Sequence, residues 1–216
     1  MSNYKDIWEK GEGAKFWNTV DFNHPYYKLQ EQIFRQQILR YWGLVVFNKI
    51  DKFPESVLEL GAGTGRMTKI LLEVFPNIKK YDIIDINPQL SFHDDRIKIY
   101  YMDLTEYSGV NLVIDGDKHY PEKYDFILAS EVFMHIKPDL TDELPSKEIS
   151  SVIKKYTNLL APNGGTILNI DWTSKPEHST WCYIHDYDKL YRENGLKCIF
   201  EVDIPEIKQK LFCYGA

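Results

Sequence analysis

A glycine-rich turn between a short apolar strand and an amphipathic helix is the feature of this 216-residue chain that most restricts its fold. The sequence SVLEL (56–60) predicts the strand, GAGTG (61–65) the turn and RMTKILLEVF (66–75) the helix. Glycine lets the backbone turn sharply and lets a ligand approach without a Cβ in the way. The start of the following helix offers unpaired N–H groups and a partial positive charge. This segment predicts either a ligand-binding turn of an α/β domain or a tight turn without a ligand.

The rest of the chain repeats this alternation of strands and helices. Strands are predicted at 81–85, 97–101, 124–130, 166–172, 195–204 and 208–216, and helices at 147–160 and 185–195. An earlier helix is predicted to open at His24-Pro25. Its broad apolar face would contain Tyr26, Leu29, Ile33, Phe34, Leu39, Tyr41 and Trp42. The pattern is typical of a mainly parallel sheet with helices on both faces. The stretches 87–96 and 104–123 depart from it, because the first is short for a helix and the second reads as strand or loop. We divide the chain into a helical cap, 1–50, and a ligand-binding domain, 51–216.

Charge and cysteine content narrow the range of partners and compartments. The net charge is −6, which makes DNA, RNA and anionic membrane surfaces poor partners. Cys182, Cys198 and Cys213 form no CxxC pair, so the sequence predicts neither a disulfide framework nor a zinc site. The first residues lack an apolar signal core and the longest early apolar run is short. We therefore expect a cytoplasmic protein that does not span a membrane and binds no metal.

Three acidic residues lie where an adenosine-containing ligand would need them. Asp85 ends the second strand, 20 residues after Gly65, and a carboxylate there suits two ribose hydroxyls. Asp103 follows the third strand, where it could accept from an adenine amino group. Glu59 lies inside an apolar strand and needs a partner, such as a bound ammonium group, because an unpaired buried charge is unfavourable. These spacings leave two ligand classes, a dinucleotide and S-adenosylmethionine.

The glycine spacing and four further segments resemble those of the class I S-adenosylmethionine-dependent methyltransferases. The turn is GxGxG, whereas the dinucleotide fingerprint is GxGxxG. The matching segments are VLELGAGTGR (57–66), YDIIDIN (81–87), YMDL (101–104), YDFILASEVFMHI (124–136) and LLAPNGGTILNIDW (159–172). Their order and spacing extend over residues 55–216. The resemblance implies a Rossmann-like three-layer sandwich, in which the last strand of a seven-stranded sheet is antiparallel.

The same resemblance implies which residues hold S-adenosylmethionine and its product S-adenosylhomocysteine. The loop from Glu59 to Gly65 would surround the methionine part, and Asp85 the ribose. Ile86 would flank the adenine, while Asp103 and Leu104 would meet its edge, and Ser130 would line the methionine end. The full predicted cofactor set is Glu59, Gly61, Ala62, Gly63, Gly65, Asp85, Ile86, Asp103, Leu104 and Ser130.

Residues after the fourth and fifth strands are candidates for the methyl acceptor site. Glu131 and His135 are four residues apart and would share one face of a helix. His135 is the first choice for a base or for acceptor binding, against the alternative that it is structural. Asp171 and Trp172 follow strand five and would line the acceptor pocket. His185 and Asp186 open the last predicted helix, where an N-cap formed by the aspartate is the competing interpretation.

Aromatic residues are concentrated before the first strand of the sheet. Ten of them lie within the first 42 residues, among them Trp8, Phe16, Trp17, Tyr26, Tyr27, Tyr41 and Trp42. Most are expected to pack the helical cap onto the sheet. Trp17, Tyr26 and Tyr27 are also candidates to close over the cofactor or the acceptor, since a closing lid excludes water.

The sequence therefore predicts a methyltransferase for a small-molecule acceptor. The expected acceptor atom is an oxygen or nitrogen of a polar metabolite, a sugar or a natural-product intermediate. Methylation of a protein or of transfer RNA, a cofactor-binding protein without transfer activity, and a nicotinamide-dependent oxidoreductase stay open as alternatives. A monomer or a homodimer is expected.

Overall fold

The fold is given by a computed structural model that describes residues 15, 19–47, 50, 52–106, 113–114, 117–118, 123–136, 147–175 and 182–216. Within those ranges the helices are α1 (Pro25–Val46), α2 (Arg66–Val74), α3 (Lys147–Thr157) and α4 (Tyr187–Glu193). The strands are β1 (Ser56–Leu60), β2 (Lys80–Asp85), β3 (Ile97–Tyr101), β4 (Val113–Ile114), β5 (Asp117–Lys118), β6 (Phe126–Ser130), β7 (Thr166–Trp172), β8 (Lys197–Ile204) and β9 (Gln209–Gly215). Short 3₁₀ turns lie at Phe133–His135 and Pro205–Ile207.

The main sheet has seven strands in the order β3-β2-β1-β6-β7-β9-β8. The pairs from β3 to β7 are parallel, whereas β9 runs antiparallel to both β7 and β8. The predicted sheet, with its antiparallel last strand, is confirmed. The chain moves outward from β1 to β3 and then returns to place β6 on the other side of β1. In sheets of this kind, ligands bind at the carboxyl ends of the strands beside that reversal.

The two faces of the sheet bury separate apolar layers, because side chains alternate along each strand. On one face, Leu58 and Ile127 pack with residues of α3 and α4. On the other, Val57 and Leu128 pack with residues of α1 and α2, including Phe34. Each such side chain contributes roughly 1.5–3 kcal/mol when it is fully buried. The three-layer sandwich that was predicted is therefore present.

Helix α1 begins where the sequence places it. Nδ1 of His24 accepts from the Tyr26 N–H at 3.2 Å, and Pro25 occupies the first helical position. Its buried side is formed by Gln30, Phe34, Ile38, Tyr41 and Val45. The predicted apolar face is thus shifted, since Leu39 and Trp42 are 51% and 43% exposed. A polar residue, Gln30, lies on the buried side, and its partners are at the functional site.

The described residues of the two irregular stretches contain no helix. Residues 86–96 form turns and bends rather than a helix between β2 and β3. Within 104–123, β4 and β5 form a short antiparallel pair.

The predicted 147–160 helix ends at Thr157, and the last helix begins at Tyr187. Asp186 caps the last helix by accepting from the Lys189 N–H at 3.1 Å. In the described ranges no helix is long and apolar enough to cross a membrane.

Candidate functional site

The turn after β1 favours glycine at two positions for the same two reasons. Gly61 has φ +68°, and a Cβ there would lie 2.5 Å from Val132 Cγ2. Gly65 has φ +77° and forms the N-cap of α2, where a Cβ would lie 2.6 Å from Leu90 Cδ2. Left-handed backbone and close neighbours both exclude a side chain. The turn therefore presents bare backbone to the carboxyl edge of the sheet.

A cleft opens beside this turn, across the carboxyl ends of β1, β2, β3 and β6. It brings together residues that lie far apart in the sequence. The predicted residues that line it are Glu59, Gly61, Ala62, Gly63, Asp85, Ile86, Asp103, Leu104, Ser130, Glu131 and His135. Gly65 is the predicted cofactor residue outside this lining; it supports the turn from below, against Leu90.

Asp85 connects the end of β2 to the glycine turn. Its Oδ2 accepts from the Gly63 N–H at 2.8 Å, and its Oδ1 accepts from the Asn87 N–H at 2.7 Å. Burial raises the pKa of this carboxyl, while the backbone N–H donors of Gly63 and Asn87 act in the opposite direction. A carboxylate has about four acceptor sites. The backbone N–H groups of Ala62 and Ile86 also act on this carboxyl, so its acceptor sites are shared between the turn and any ligand hydroxyl in the cleft.

Asp103 forms a local turn at the end of β3. Its Oδ1 accepts from both the N–H and the Oγ1 of Thr105, each at 2.8 Å. The side chain is buried and borders the cleft beside Leu104. The described hydrogen bonds all go to Oδ1, so Oδ2 is available for a donor in the cleft. An adenine amino group is such a donor.

Glu59 is a buried carboxyl group beneath the cleft. Its Oε2 accepts from Thr68 Oγ1 at 2.5 Å and from the Tyr81 hydroxyl at 2.7 Å. Burial raises the pKa of Glu59 to about 7, partly offset by these two donors. Both described hydrogen bonds go to Oε2, which leaves Oε1 for a ligand or for water. The buried Glu59 carboxyl needs a partner, as the sequence predicted, and Thr68 and Tyr81 supply part of that requirement.

Glu131 and His135 both border the cleft, but the helix predicted to join them is absent. Glu131 has φ +54°, which is outside the helical region, and a single 3₁₀ turn follows at Phe133–His135. The prediction of one shared helix face is wrong, because left-handed backbone at Glu131 interrupts any helix there. His135 is 7% exposed and is held by its N–H to the carbonyl of Val132 at 3.1 Å.

Asp171 lies behind the cleft rather than in it. The carboxylate is fully buried and accepts from the Tyr187 hydroxyl at 2.5 Å and the Met134 N–H at 3.1 Å. Burial raises its pKa to about 7, with the Tyr187 hydrogen bond acting in the opposite direction. The predicted acceptor contact is absent from the described lining, because β7 points this side chain toward α4. Asp171 instead fixes the turn that carries His135.

His185 is also buried and lies outside the lining of the cleft. Its ring packs edge-on against Tyr187, with centroids 5.7 Å apart. Burial lowers its pKa to about 4, although the backbone carbonyls of Phe133 and Ile136 act in the opposite direction. Neither ring nitrogen makes a hydrogen bond of good geometry with the described residues. The adjacent Asp186 is the N-cap, as the competing interpretation required.

The amino-terminal half of α1 contacts two residues that line the cleft, Glu131 and Arg66. Tyr26 and Trp172 stack with ring planes 20° apart and centroids separated by 6.4 Å. Tyr27 packs against the guanidinium of Arg66, which is 4.9 Å from its ring centroid. Tyr26, Tyr27 and Trp172 thus lie together next to Glu131 and Arg66, but, like Asp171, they are outside the described lining of the cleft. Trp17 lies outside the described residues.

The sequence did not single out seven other residues that line the cleft: Thr64, Arg66, Met67, Ile84, Asn87, Met102 and Val132. Their neighbours in the sequence were predicted, so proximity to the motifs is the signal that could have found them. Among the described residues, no group of three or more histidine, cysteine or acidic side chains is arranged to hold a metal ion.

Comparison with known proteins decides between the ligand classes that the spacing left open. A family model described as a methyltransferase domain matches residues 58–166, about half of the chain. The chain belongs to this family of methyltransferase domains. The match begins inside β1 and ends at the start of β7, so it contains the glycine turn, Asp85, Asp103 and the segment from Ser130 to His135. The predictions of the family and of the Rossmann-like fold are confirmed.

One curated relative of this methyltransferase domain is malonyl-[acyl-carrier protein] O-methyltransferase 1 of Ilyobacter polytropus. It is 30% identical over 95 residues, which are 43% of this chain. The matched part spans 33% of the length of that relative. This similarity is therefore to a part of that protein.

Solved structures of low sequence identity share the fold of this methyltransferase domain. Magnesium protoporphyrin IX methyltransferase from Synechocystis PCC 6803, with bound S-adenosylmethionine, has TM-score 0.63 and 13% identity over 100% of this chain and 98% of its own. Plantazolicin methyltransferase BpumL, with S-adenosylhomocysteine, has TM-score 0.66 and 11% identity over 98% and 93%. A putative methyltransferase in complex with the Haloferax volcanii Trm112 activator has TM-score 0.61 and 11% identity over 100% and 98%. The cofactor predicted for this chain agrees with those ligands.

Proposed function

We propose that this chain is an S-adenosylmethionine-dependent methyltransferase that acts on an oxygen or nitrogen of a small polar metabolite, a sugar or a natural-product intermediate. The observation that carries the proposal is the cleft that joins the glycine turn to Asp85, Asp103 and Glu59. Its three carboxyl groups match, in order along the sheet, an adenine amino group, two ribose hydroxyls and an ammonium group. S-adenosylmethionine carries all of these groups, and it leaves S-adenosylhomocysteine as the product of methyl transfer.

Binding would be divided among the strands of the sheet. Asp103 and Leu104 would meet the adenine edge, with Ile86 against the ring. Asp85 would accept from the ribose, and its existing bond to the Gly63 N–H would keep the turn in place around the methionine part. Glu59 would face the ammonium group through Oε1. Ser130 would line the end of the cleft where the methyl group is held.

The chemistry requires positioning more than covalent participation by the protein. The sulfonium group supplies a methyl group already activated for displacement. The residues of the chain would hold the acceptor atom in line with it and exclude water, and such orientation accounts for much of the rate. His135, on the cleft side of the turn fixed by Asp171, would take the proton of the acceptor. This role is needed only for an acceptor that must lose a proton.

The cap formed by residues 1–50 would supply the acceptor end of the pocket. Tyr26 and Tyr27 reach the rim from α1, and Trp172 reaches it from β7. Aromatic faces suit a sugar, an aromatic metabolite or a cationic amine. Asp171 and His185 would support this end from behind. The remaining residues, 51–216, would form the cofactor-binding domain.

A protein-bound acceptor is the second candidate. The observation in its favour is the curated relative, whose name specifies a malonyl group carried by an acyl-carrier protein. The matched part is 33% of that relative's length, so its acceptor specificity does not transfer directly to this chain. We therefore rank a free small molecule first.

A transfer assay tests the proposal directly. The chain is incubated with S-adenosylmethionine carrying a trideuterated methyl group and with a metabolite panel, an acyl-carrier protein and transfer RNA. Mass spectrometry should detect S-adenosylhomocysteine together with one metabolite heavier by one labelled methyl group. Label on the carrier protein or on the RNA would favour the alternatives. Failure of the chain to bind S-adenosylmethionine at all would contradict the proposal.

A further inference from the structure

We propose that Glu131 is a positioning residue that fastens α1 to the rim of the cleft, rather than the catalytic group that its place in the sequence predicts. Its carboxylate joins α1, β7 and β9 at one point, and Gln30 extends this connection to Arg66 on the far side of the glycine turn. We call these three side chains, Glu131, Gln30 and Arg66, the rim latch. The inference rests on the proposed function only in assigning the cleft to a cofactor.

Four donors from three elements meet the carboxylate of Glu131. The hydroxyl of Tyr26 and Nε1 of Trp172 donate to Oε1 at 3.3 and 3.1 Å. Nε2 of Gln209 also donates to Oε1, and Nε2 of Gln30 donates to Oε2 at 2.8 Å. Four donors match the acceptor capacity of one carboxylate group. The carboxylate is therefore used to hold its neighbours.

The bonds to Glu131 explain the geometry of the aromatic rim. Tyr26 and Trp172 donate to the same oxygen atom, so the edges of both rings are fixed at one point. The two ring planes are 20° apart. The left-handed backbone of Glu131, φ +54°, turns its side chain toward α1. Unusual backbone of this kind at a ligand site indicates a functional constraint.

The amide group of Gln30 links Arg66 to Glu131 in one orientation. It is 2% exposed, and its Oε1 accepts from Arg66 Nη2 at 2.7 Å while its Nε2 donates to Glu131. Arg66 has only donors and the Glu131 carboxylate only acceptors, so the Gln30 amide has one orientation that satisfies both. Arg66 and Glu131 both line the cleft. The position of α1 therefore depends on hydrogen bonds to residues on both sides of the cleft.

This geometry allows a reciprocal exchange of the two side chains. In Glu131→Gln, the new amide nitrogen at position 131 faces Nε2 of Gln30, so two donors oppose each other. Rotating the Gln30 amide by 180° would instead place Nε2 of Gln30 against Arg66, which is also a donor. In Gln30→Glu, two carboxylates face each other. In the double variant, the carboxylate at position 30 accepts from Arg66 and from the amide nitrogen at position 131, while the amide oxygen at position 131 keeps its other three donors. Each single variant loses a bond that the double variant restores.

Hydrogen exchange of the α1 backbone amides tests the latch without any acceptor. Each single variant should exchange about tenfold faster in the first turns of α1, because a buried polar group is left unpaired. The double variant should return to within about twofold of the wild-type rate. Glu73→Gln is the matched control, since it removes an exposed 2.6 Å ion pair between α2 and Arg35 of α1. Its exchange should stay close to wild type.

Two results would overturn the latch. One is wild-type exchange in both single variants, and the other is a double variant that exchanges faster than either single variant. If Glu131→Gln fails to fold, Gln30→Ala replaces it, because it removes the link and leaves the carboxylate in place. Calorimetry with S-adenosylhomocysteine separates the two proposals. Wild-type protein that fails to bind this ligand contradicts the proposed function, whereas the exchange data decide the latch alone.

Discussion

The backbone N–H of Gly63 donates a hydrogen bond of 2.8 Å to Oδ2 of Asp85. This contact joins the turn after β1 to the end of β2, so one carboxylate both shapes the glycine turn and faces the cleft. Replacing Asp85 by alanine removes that anchor together with the proposed ribose contact. S-adenosylhomocysteine should bind more than about tenfold more weakly in calorimetry. Asp95→Ala is the control, since its side chain is 97% exposed; equal affinity of Asp85→Ala and the control would refute the assignment.

Ligand binding should release protons through Glu59. Burial raises the pKa of this carboxyl to about 7 in the structure without ligand. A bound ammonium group favours the ionised form, so Glu59 should lose part of its proton when S-adenosylhomocysteine binds. Affinity should therefore increase as the pH rises through about 7. Titrations in phosphate and in Tris buffer should give different apparent enthalpies, and Glu59→Gln should remove that difference. A wild-type enthalpy independent of the buffer would contradict this role.

Asp171 should make the free energy of unfolding depend on pH. Its pKa is raised to about 7 by burial, whereas an unfolded aspartate titrates near 3.9. Between these two pKa values the folded state therefore binds more protons than the unfolded state. The free energy of unfolding falls as the pH rises through this range, up to the pKa of the folded state. The contribution is about 1.4 kcal/mol per pH unit at most. Urea unfolding between these pH values should show a shallower decline for Asp171→Asn than for wild type. The control is Asp203→Asn, at a side chain that is 78% exposed; matching slopes in all three proteins would exclude the effect.

The motifs that were predicted correctly share one property: their chemistry is local in the sequence. Asp85 follows a recognisable strand, and the glycine turn follows another, so parallel strands bring them to one edge. Glu131 was misassigned to a helix because its left-handed backbone is not visible in the ASEV sequence. The partner Gln209 is 78 residues away from Glu131, and Gln30 is 101 residues away. Contacts over such separations depend on how α1 and β9 pack, which the local pattern does not specify.

The buried polar residues behind the cleft were difficult to predict for a related reason. Asp171 and Trp172 are adjacent on β7, and the alternation of a strand sends one of them to Tyr187 and the other to the rim. The sequence shows the alternation but not which face is adjacent to the acceptor. It therefore predicted both residues as pocket residues, whereas neither is in the described lining of the cleft and Trp172 contacts Glu131 at its border.

His135 should affect turnover without affecting cofactor affinity. It borders the cleft on a turn whose backbone is held by Asp171 through the Met134 N–H. If it takes a proton from the acceptor, His135→Ala should lower the rate of methyl transfer about a hundredfold or more. The affinity for S-adenosylhomocysteine should stay within about twofold of wild type, since His135 is outside the predicted cofactor contacts. Turnover equal to wild type would make His135 a packing residue.

The central claim is that the cleft above Gly61–Gly65 binds S-adenosylmethionine and not a dinucleotide. The most direct measurement is calorimetric titration of the wild-type chain with S-adenosylhomocysteine and, separately, with NAD. The account predicts one-to-one binding of S-adenosylhomocysteine and no heat of binding from NAD. Tight binding of NAD without any signal from S-adenosylhomocysteine would contradict it.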